Sequence, residues 1–297
     1  MPSSSSSSRP ALIRCDLTLP HYFGYAPAPM VDTRPVIPRH DPRGLFMRGE
    51  FGIKEDGALR PIVAHNTTHL DVPFHFIEAG ADLASVLNRP EWPADRPCLA
   101  RMVWLAPGAQ QDQPPGCHTR DGVAYRESIT AEHLPPVEEL RHFEALVVMT
   151  GFGRIMARGP ESRFTPDADG SYHVPHLTDS AVERILASGV RLVALDSTTI
   201  ERQTGTDPVR FGSDAHFSLL GAGSPVLIVE GLGGAALPER LGFSPQECVL
   251  QVVPRRVNAA GADAAHSRVF FYCYRGDPQG RALRQLAAML NAQELHG

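Results

Sequence analysis

The chain has 297 residues, a net charge of −5, and 42% hydrophobic against 21% charged residues, the balance of an ordinary globular protein. A mildly acidic chain offers no basic field for nucleic acid or for an anionic membrane surface, so neither is an expected partner. No apolar run reaches the length of a membrane span, and "VLIVEGLGGAAL" is interrupted by Glu230.

The start, "MPSSSSSSRP", is a polar serine tract without the apolar stretch of a secretory signal, and it reads as a flexible tail over residues 1–10. Five cysteines, Cys15, Cys98, Cys117, Cys248 and Cys273, are odd in number and widely spread, with no CxxC pair. That pattern fits neither a zinc ribbon nor a disulfide framework and predicts a reduced, cytoplasmic protein. From there the apolar, β-rich runs are "CLARMVWLA" (98–106), "ALVVMTGFG" (145–153), "VRLVALDS" (190–197), "SPVLIVEGL" (224–232), "CVLQVVP" (248–254) and "RVFFYCY" (268–274). Each is bounded by Gly, Pro or polar residues and reads as a buried strand.

Helices are expected between the strands. "ITAEHL" (129–134) opens Thr-x-x-His, a weak capping pattern, and "LTDSAVERILASG" (177–189) carries Thr178 or Asp179 as its cap and Gly189 as its stop. The tail "GRALRQLAAMLNAQELHG" is amphipathic and predicts the last helix. Strands alternating with helices, then two late strands without a clear helix between them, predict an α/β fold with a mixed sheet. Long proline-rich loops such as "APAPMVDTRPVIPRHDPRG" and "PGAQQDQPPG" separate the elements, and loops of that length often build sites. No linker divides residues 11–297, which read as a single domain.

The densest chemistry lies in "HNTTHLDVPFHF", where His65, His69, Asp71 and His75 fall within eleven positions. An extended strand would put all four on one face but separate His65 from His69 by about 13 Å, too far for one ion. A helix would bring 65 and 69 together but swing Asp71 about 240° away, and Pro73 stops any regular continuation. The segment must bend, and a strand entering a tight turn brings the side chains inward together. Convergent imidazole and carboxylate groups suit Zn²⁺, Mn²⁺ or Fe²⁺, and three protein ligands leave room for water. Glu230, in an apolar run, would be costly to bury unpaired. A zincin is excluded because Asn66 stands where the catalytic Glu would be. No Gly-x-Ser-x-Gly elbow is present, and "GFGR" and "GAGSP" read as turns rather than phosphate loops.

The segment resembles the His-x-Gly-Thr-His-x-Asp-x-Pro-x-His-Phe signature of the metal-dependent cyclase/kynurenine formamidase family, which includes isatin hydrolase-like enzymes. "CDLTLP", "VVMTGFG", "GVRLVALDSTTIE" and "HFSLLGAGSPVLIVEGL" agree in order, so the resemblance spans roughly Ile13 to Tyr274. It implies a swivelling β/β/α fold with a mixed, barrel-like sheet and flanking helices. It also implies a homo-oligomer, dimer or tetramer, that uses a divalent metal, Zn or Mn, to hydrolyse a C–N bond in a small amide, formamide or lactam. Carried over by position, His65, His69 and Asp71 would hold the first ion, and His75 would be the proton-transfer group or a second-metal ligand. His216 would match the distal histidine and Glu230 the acidic residue of a second or shared site.

The chain departs from the family pattern in three places. Thr67 stands where the family has Gly, the interval from His216 to Glu230 is two residues longer, and the Trp-Pro-Gly stretch of formamidases is missing. The longer interval predicts a displaced Glu230 and a single ion, or a weak second one. Phe76, Trp92, Phe23 and Tyr22 are the expected aromatic wall for a small-molecule substrate. Two other readings account for part of the pattern. One is a non-haem iron oxygenase built on His69, Asp71 and a distal histidine, His173 or His216. The other is a binding protein that kept the fold without the chemistry.

Overall fold

A computed structural model describes residues 11–19, 49–53, 59–63, 65, 67–107, 114–158, 173–202, 214–255, 262–275 and 281–294. The serine tract, the whole of the first proline-rich loop, Tyr22 and Phe23 lie outside the described residues. In chain order the first elements are β1 (Ala11–Asp16), β2 (Gly49–Ile53), β3 (Leu59–Val63), β4 (His69–Asp71), α1 (Leu83–Leu87) and β5 (Pro97–Trp104). They are followed by β6 (Cys117–Arg120), β7 (Val123–Arg126), β8 (Ser128–Ile129), α2 (Val137–Leu140), β9 (Ala145–Met149), α3 (Gly153–Met156), β10 (His176–Leu177) and α4 (Asp179–Ser188). The remainder is β11 (Leu192–Leu195), α5 (Asp214–Leu220), β12 (Leu227–Glu230), α6 (Leu237–Leu241), β13 (Glu247–Pro254), β14 (Ala264–Arg275) and α7 (Arg281–Glu294).

One mixed sheet organises these elements. Its order is β1-β14-β13-β5-β9-β11-β12-β4, and β4 pairs again with β14. Strands β14 through β4 therefore close into a barrel, with β1 paired outside it along β14. The central pairs β5–β9, β9–β11 and β11–β12 are parallel, while β13 and β14 run antiparallel to their neighbours. The mixed sheet is the one that the strand and helix order predicts, and its barrel-like closure with flanking helices is what the family resemblance implies.

Side-chain alternation fills the barrel, because successive residues of a strand face opposite ways. Cys98, Ala100 and Met102 of β5, Ala145, Val147 and Met149 of β9, Leu192 and Ala194 of β11, and Leu227 and Val229 of β12 form one buried cluster with Leu70 and Phe271. The opposite parity, including Leu146, Val148, Val193 and Ile228, packs under α4 and α5 through Ala181, Ile185, Ala215 and Leu219. Burying a side chain the size of Ile185 contributes about 1.5–3 kcal/mol. On another flank, Leu283 and Ala287 of α7 cover Val249 and Leu99. Among the described residues, no helix is long and apolar enough to cross a membrane.

Local signals behave as their chemistry requires. Thr178 caps α4 by position, and Gly189 ends it with φ 77°, a left-handed turn that glycine adopts without a Cβ clash. The run 129–134 does not become an α-helix. It forms a single 3-10 turn, Ala131–His133, in which the His133 ring accepts from the Thr130 backbone N–H at 3.0 Å. Pro135 and Pro136 stop anything longer.

The turn in "TGFGR" shows why that motif holds no phosphate. Its amides already face an anion of the chain's own, Asp196, at the end of β11. The Asp196 carboxylate is fully buried and accepts from Thr150 N (2.6 Å), Thr150 Oγ1 (2.7 Å), Gly151 N (3.0 Å) and Gly153 N (3.2 Å). Burial outweighs those donors and lifts its pKa to about 6. Asp196→Ala leaves several buried donors unsatisfied and should cost about 3 kcal/mol, read as a lower urea midpoint. A midpoint unchanged from wild type would show that the turn does not depend on this carboxylate.

Candidate metal centre

The strand–turn reading of residues 65–76 corresponds to β4 followed by a 3-10 turn at Pro73–His75. Leu70 points into the barrel, so His69 and Asp71 face outward on the same strand. Strand β4 lies between β12 and β14, and His69 sits opposite both Glu230 and His266. His216 reaches the same place from α5.

The distances define one cluster. His65 Nδ1 lies 2.9 Å and His69 Nε2 3.4 Å from Asp71 Oδ1. His216 Nε2 lies 3.8 Å from Asp71 Oδ2 and 3.3 Å from Glu230 Oε1, while His69 Nε2 is 3.4 Å from Glu230 Oε2. Asp71, His75 and His216 each bring one donor atom within 4.8 Å of the others. Glu230 therefore belongs to the cluster despite the longer interval. The spacing between α5 and β12 is taken up by the bend at 221–224, and the Ile200 N–H holds Glu230 Oε1 at 2.8 Å.

Each imidazole has one nitrogen held from behind. The His69 Nδ1–H donates to the Thr67 carbonyl at 3.0 Å, leaving Nε2 inward. His216 Nδ1–H donates to Glu201 Oε1 at 2.9 Å, and the His216 backbone N–H donates to the same oxygen at 2.7 Å. Both His65 Nε2 (3.0 Å) and His75 Nδ1 (3.2 Å) meet Asp263 Oδ2. Such backing fixes a histidine's tautomer and turns its other nitrogen toward an ion. The inward atoms are correspondingly short of partners. His69 Nε2 and both Asp71 carboxylate oxygens are buried without a well-directed hydrogen bond. A nitrogen-and-carboxylate set with orphaned buried atoms fits a divalent metal ion.

The backbone here is strained to suit. Thr67 has φ 65°, which a β-branched residue adopts only at a cost of about 1–3 kcal/mol. That conformation presents its carbonyl to His69. Gly231, with φ 72°, lets the two segments meet, since a Cβ there would fall 2.2 Å from Thr67 O.

Electrostatics show what stands in for an ion when none is bound. Burial pushes His65 and His69 down, but the surrounding carboxylates outweigh it and hold them at about 9 and about 10. His216 is also raised, against its burial, by Asp71, Glu201 and Glu230. Asp71 and Glu230 are held low against their burial, chiefly by the imidazoles. His75 differs, because burial and the nearby His65 charge both lower it and keep it neutral near pH 7. At pH 7.5 metal loading must therefore displace protons from His65 and His69, and affinity should rise with pH. Because the folded pKa values are raised, the stability they give the metal-free fold is complete below about pH 6.5. It is lost as pH climbs through 9 to 10. Calorimetry in buffers of different ionisation enthalpy should find more than one proton released per ion; none released would contradict this account.

Phe76 is buried against the site, stacked on His216 at 4.5 Å and edge-on to His75 at 4.5 Å. Trp92, expected on a substrate wall, is 3% exposed and belongs to the barrel-interior cluster. Its loop folds inward because an indole gains more from apolar burial than from a rim position. His173, a candidate distal ligand for an oxygenase, is placed elsewhere. It stacks on His118 at 4.2 Å and meets Glu127 at 3.1 Å. Sequence reasoning missed Glu201 and Asp263. Glu201 ended the quoted run "GVRLVALDSTTIE" without being assigned a role, whereas Asp263 sits among small residues 188 positions from His75.

A family model described as a putative cyclase matches residues 16–202, more than half of the chain. The chain belongs to this cyclase family. Two solved structures illustrate the shared cyclase fold. "The Structure Of Potential Metal-Dependent Hydrolase With Cyclase Activity" is 18% identical, with 88% of this chain and 98% of that one covered and a TM-score of 0.52. "Isatin hydrolase A (IHA) from Ralstonia solanacearum" is 15% identical, with 88% and 92% covered and a TM-score of 0.53. Among curated proteins, none is similar enough to count as a match. The cyclase model covers His65, His69, Asp71, His75 and Glu201, while His216, Glu230 and Asp263 follow its end and join the site through the fold.

Proposed function

We propose that the protein is a metal-dependent amidohydrolase that cleaves a C–N bond in a small amide, formamide or lactam, with Zn²⁺ or Mn²⁺ as its ion. The observation that carries this reading is the set of four imidazoles, each held from behind and turned toward the buried, under-bonded Asp71 carboxylate. His65, His69 and Asp71 would hold a first ion, and His216, Glu230 and the second Asp71 oxygen a further or shared position. When bound, such an ion supplies Lewis acidity toward a carbonyl and lowers the pKa of water to about 7.

His75 performs the proton work. Asp263 takes its Nδ1–H, so Nε2 is the basic nitrogen, and a neutral imidazole is the species able to use it. Nε2 takes a proton as water oxygen bonds to the carbonyl carbon, then returns it to the nitrogen as the C–N bond breaks. Phe76 stacks on His216 and packs edge-on against His75, which restrains both rings and excludes water from that side. Since Trp92 and Phe76 are committed to packing, an aromatic preference rests on Tyr22 and Phe23.

The test is a panel of N-formyl anilides, aromatic amides and isatin-like lactams, assayed without oxygen. Hydrolysis should be stoichiometric, abolished by a chelator and restored by Zn²⁺ or Mn²⁺. Turnover that requires O₂ would favour the oxygenase, and activity confined to aliphatic esters would remove the amidohydrolase reading.

A further inference from the structure

Asp263 is a buried carboxylate beside the cluster that neither the metal set nor the proton-transfer step uses directly. It is 1% exposed. One oxygen, Oδ2, meets both His65 Nε2 and His75 Nδ1. The two rings lie nearly parallel, 21° apart with centroids 4.0 Å from each other, so a single acceptor reaches an edge of both. Its backbone is tied to the same segment, since the Val72 N–H donates to the Asp263 carbonyl at 3.1 Å.

We propose that Asp263 is the positioning residue that couples the metal centre to the proton-transfer histidine by fixing opposite tautomers in His65 and His75. A carboxylate can only accept, so both contacting nitrogens carry hydrogen. Once an ion has displaced its other proton, His65 is thereby the Nε2–H tautomer, with its Nδ1 lone pair turned to the Asp71 side as a metal ligand. His75 is the Nδ1–H tautomer, with its Nε2 lone pair kept for a proton. Without Asp263 each ring can flip or change tautomer, and one substitution loosens a ligand and a base together. The second of these effects rests on the hydrolytic reading above; the first does not.

The experiment separates the two. Co²⁺ affinity is measured by visible absorption in wild type, Asp263→Asn and Asp263→Ala, without substrate. Loss of a histidine's backing should weaken Co²⁺ binding by about 10- to 100-fold, while the absorption bands of the saturated variants keep their positions and intensities. Turnover is then measured at saturating metal in Asp263→Ala, His75→Ala and the double variant. Asp263→Ala should lower kcat more than it changes KM, and it should lower kcat no further once His75 is gone, while still weakening metal binding. Unchanged Co²⁺ affinity in both Asp263 variants would overturn the proposal. So would bands that move, which would make Asp263 a ligand, or losses of kcat that simply multiply in the double variant. If no substrate is hydrolysed, the hydrolytic reading fails and the Co²⁺ titration still decides the His65 part.

Discussion

His69→Ala should yield a protein that holds no tightly bound divalent ion and shows no activity above background. His69 is directed at both acidic groups from the closing strand itself, with Nε2 3.4 Å from Asp71 and 3.4 Å from Glu230. Removing a partner behind a ligand already costs about 10- to 100-fold in metal affinity, and removing the ligand itself should cost more. The loss is compounded in the metal-free protein, where the protonated ring compensates two buried carboxylates. Breaking a buried charge cluster on one side costs about 3–5 kcal/mol, so the variant should also melt earlier. Elemental analysis of purified protein checks the first part; full occupancy in His69→Ala would remove His69 from the ligand set.

His75→Ala should behave in the opposite sense, keeping its ion while turnover falls by about 10²–10⁴, the usual weight of general acid–base catalysis. The difference follows from where His75 stands. It comes from the turn after Pro73 rather than from β4, and among these histidines it alone is pushed below its ordinary pKa. His65, His69, Asp71, His216 and Glu230 remain in place without it. Single-turnover rates beside metal content make the comparison. Unchanged turnover would remove His75 from the proton-transfer role, and loss of the metal along with the rate would return it to a ligand role.

The residues by themselves showed the cluster where its members are local, while the distant His216 and Glu230 came only through the family resemblance. His65, His69, Asp71 and His75 were legible because a bend is the one conformation that unites their spacing, and Pro73 marks where it falls. The barrel strands β5, β9 and β11 to β14 were legible because both faces of each are packed, which leaves a run of apolar residues. Strands β6, β7, β8 and β10 carry no such run. Glu201 and Asp263 were not legible, since each acts on a histidine from a distant element and a lone carboxylate carries no periodic signal. Trp92 misled for a related reason. A proline-flanked aromatic resembles a rim residue until the chain's closure shows that it joins the interior cluster. Thr67 departs from the family's glycine, yet the structure holds it at φ 65°, so surrounding contacts fix the backbone that glycine would reach freely.

The barrel is closed by its shortest member. Strand β4 contributes three residues, paired to Ile228, Val229 and Glu230 on one side and to Ala264, Ala265 and His266 on the other. Local opening starts where the fewest ladder bonds must break, which makes this seam the natural point of breathing. Ligands from β4 and β12 lie across one of its pairings, so an occupied centre would act as a latch on the seam. Amide hydrogen exchange at Leu70 and Val229 should slow on metal loading by the full binding free energy available to a closed-state ligand. Amides of β5 and β9, on the far wall, should keep the rate set by global unfolding until that too is stabilised. The protein would then report its metal status in the exchange of a three-residue strand.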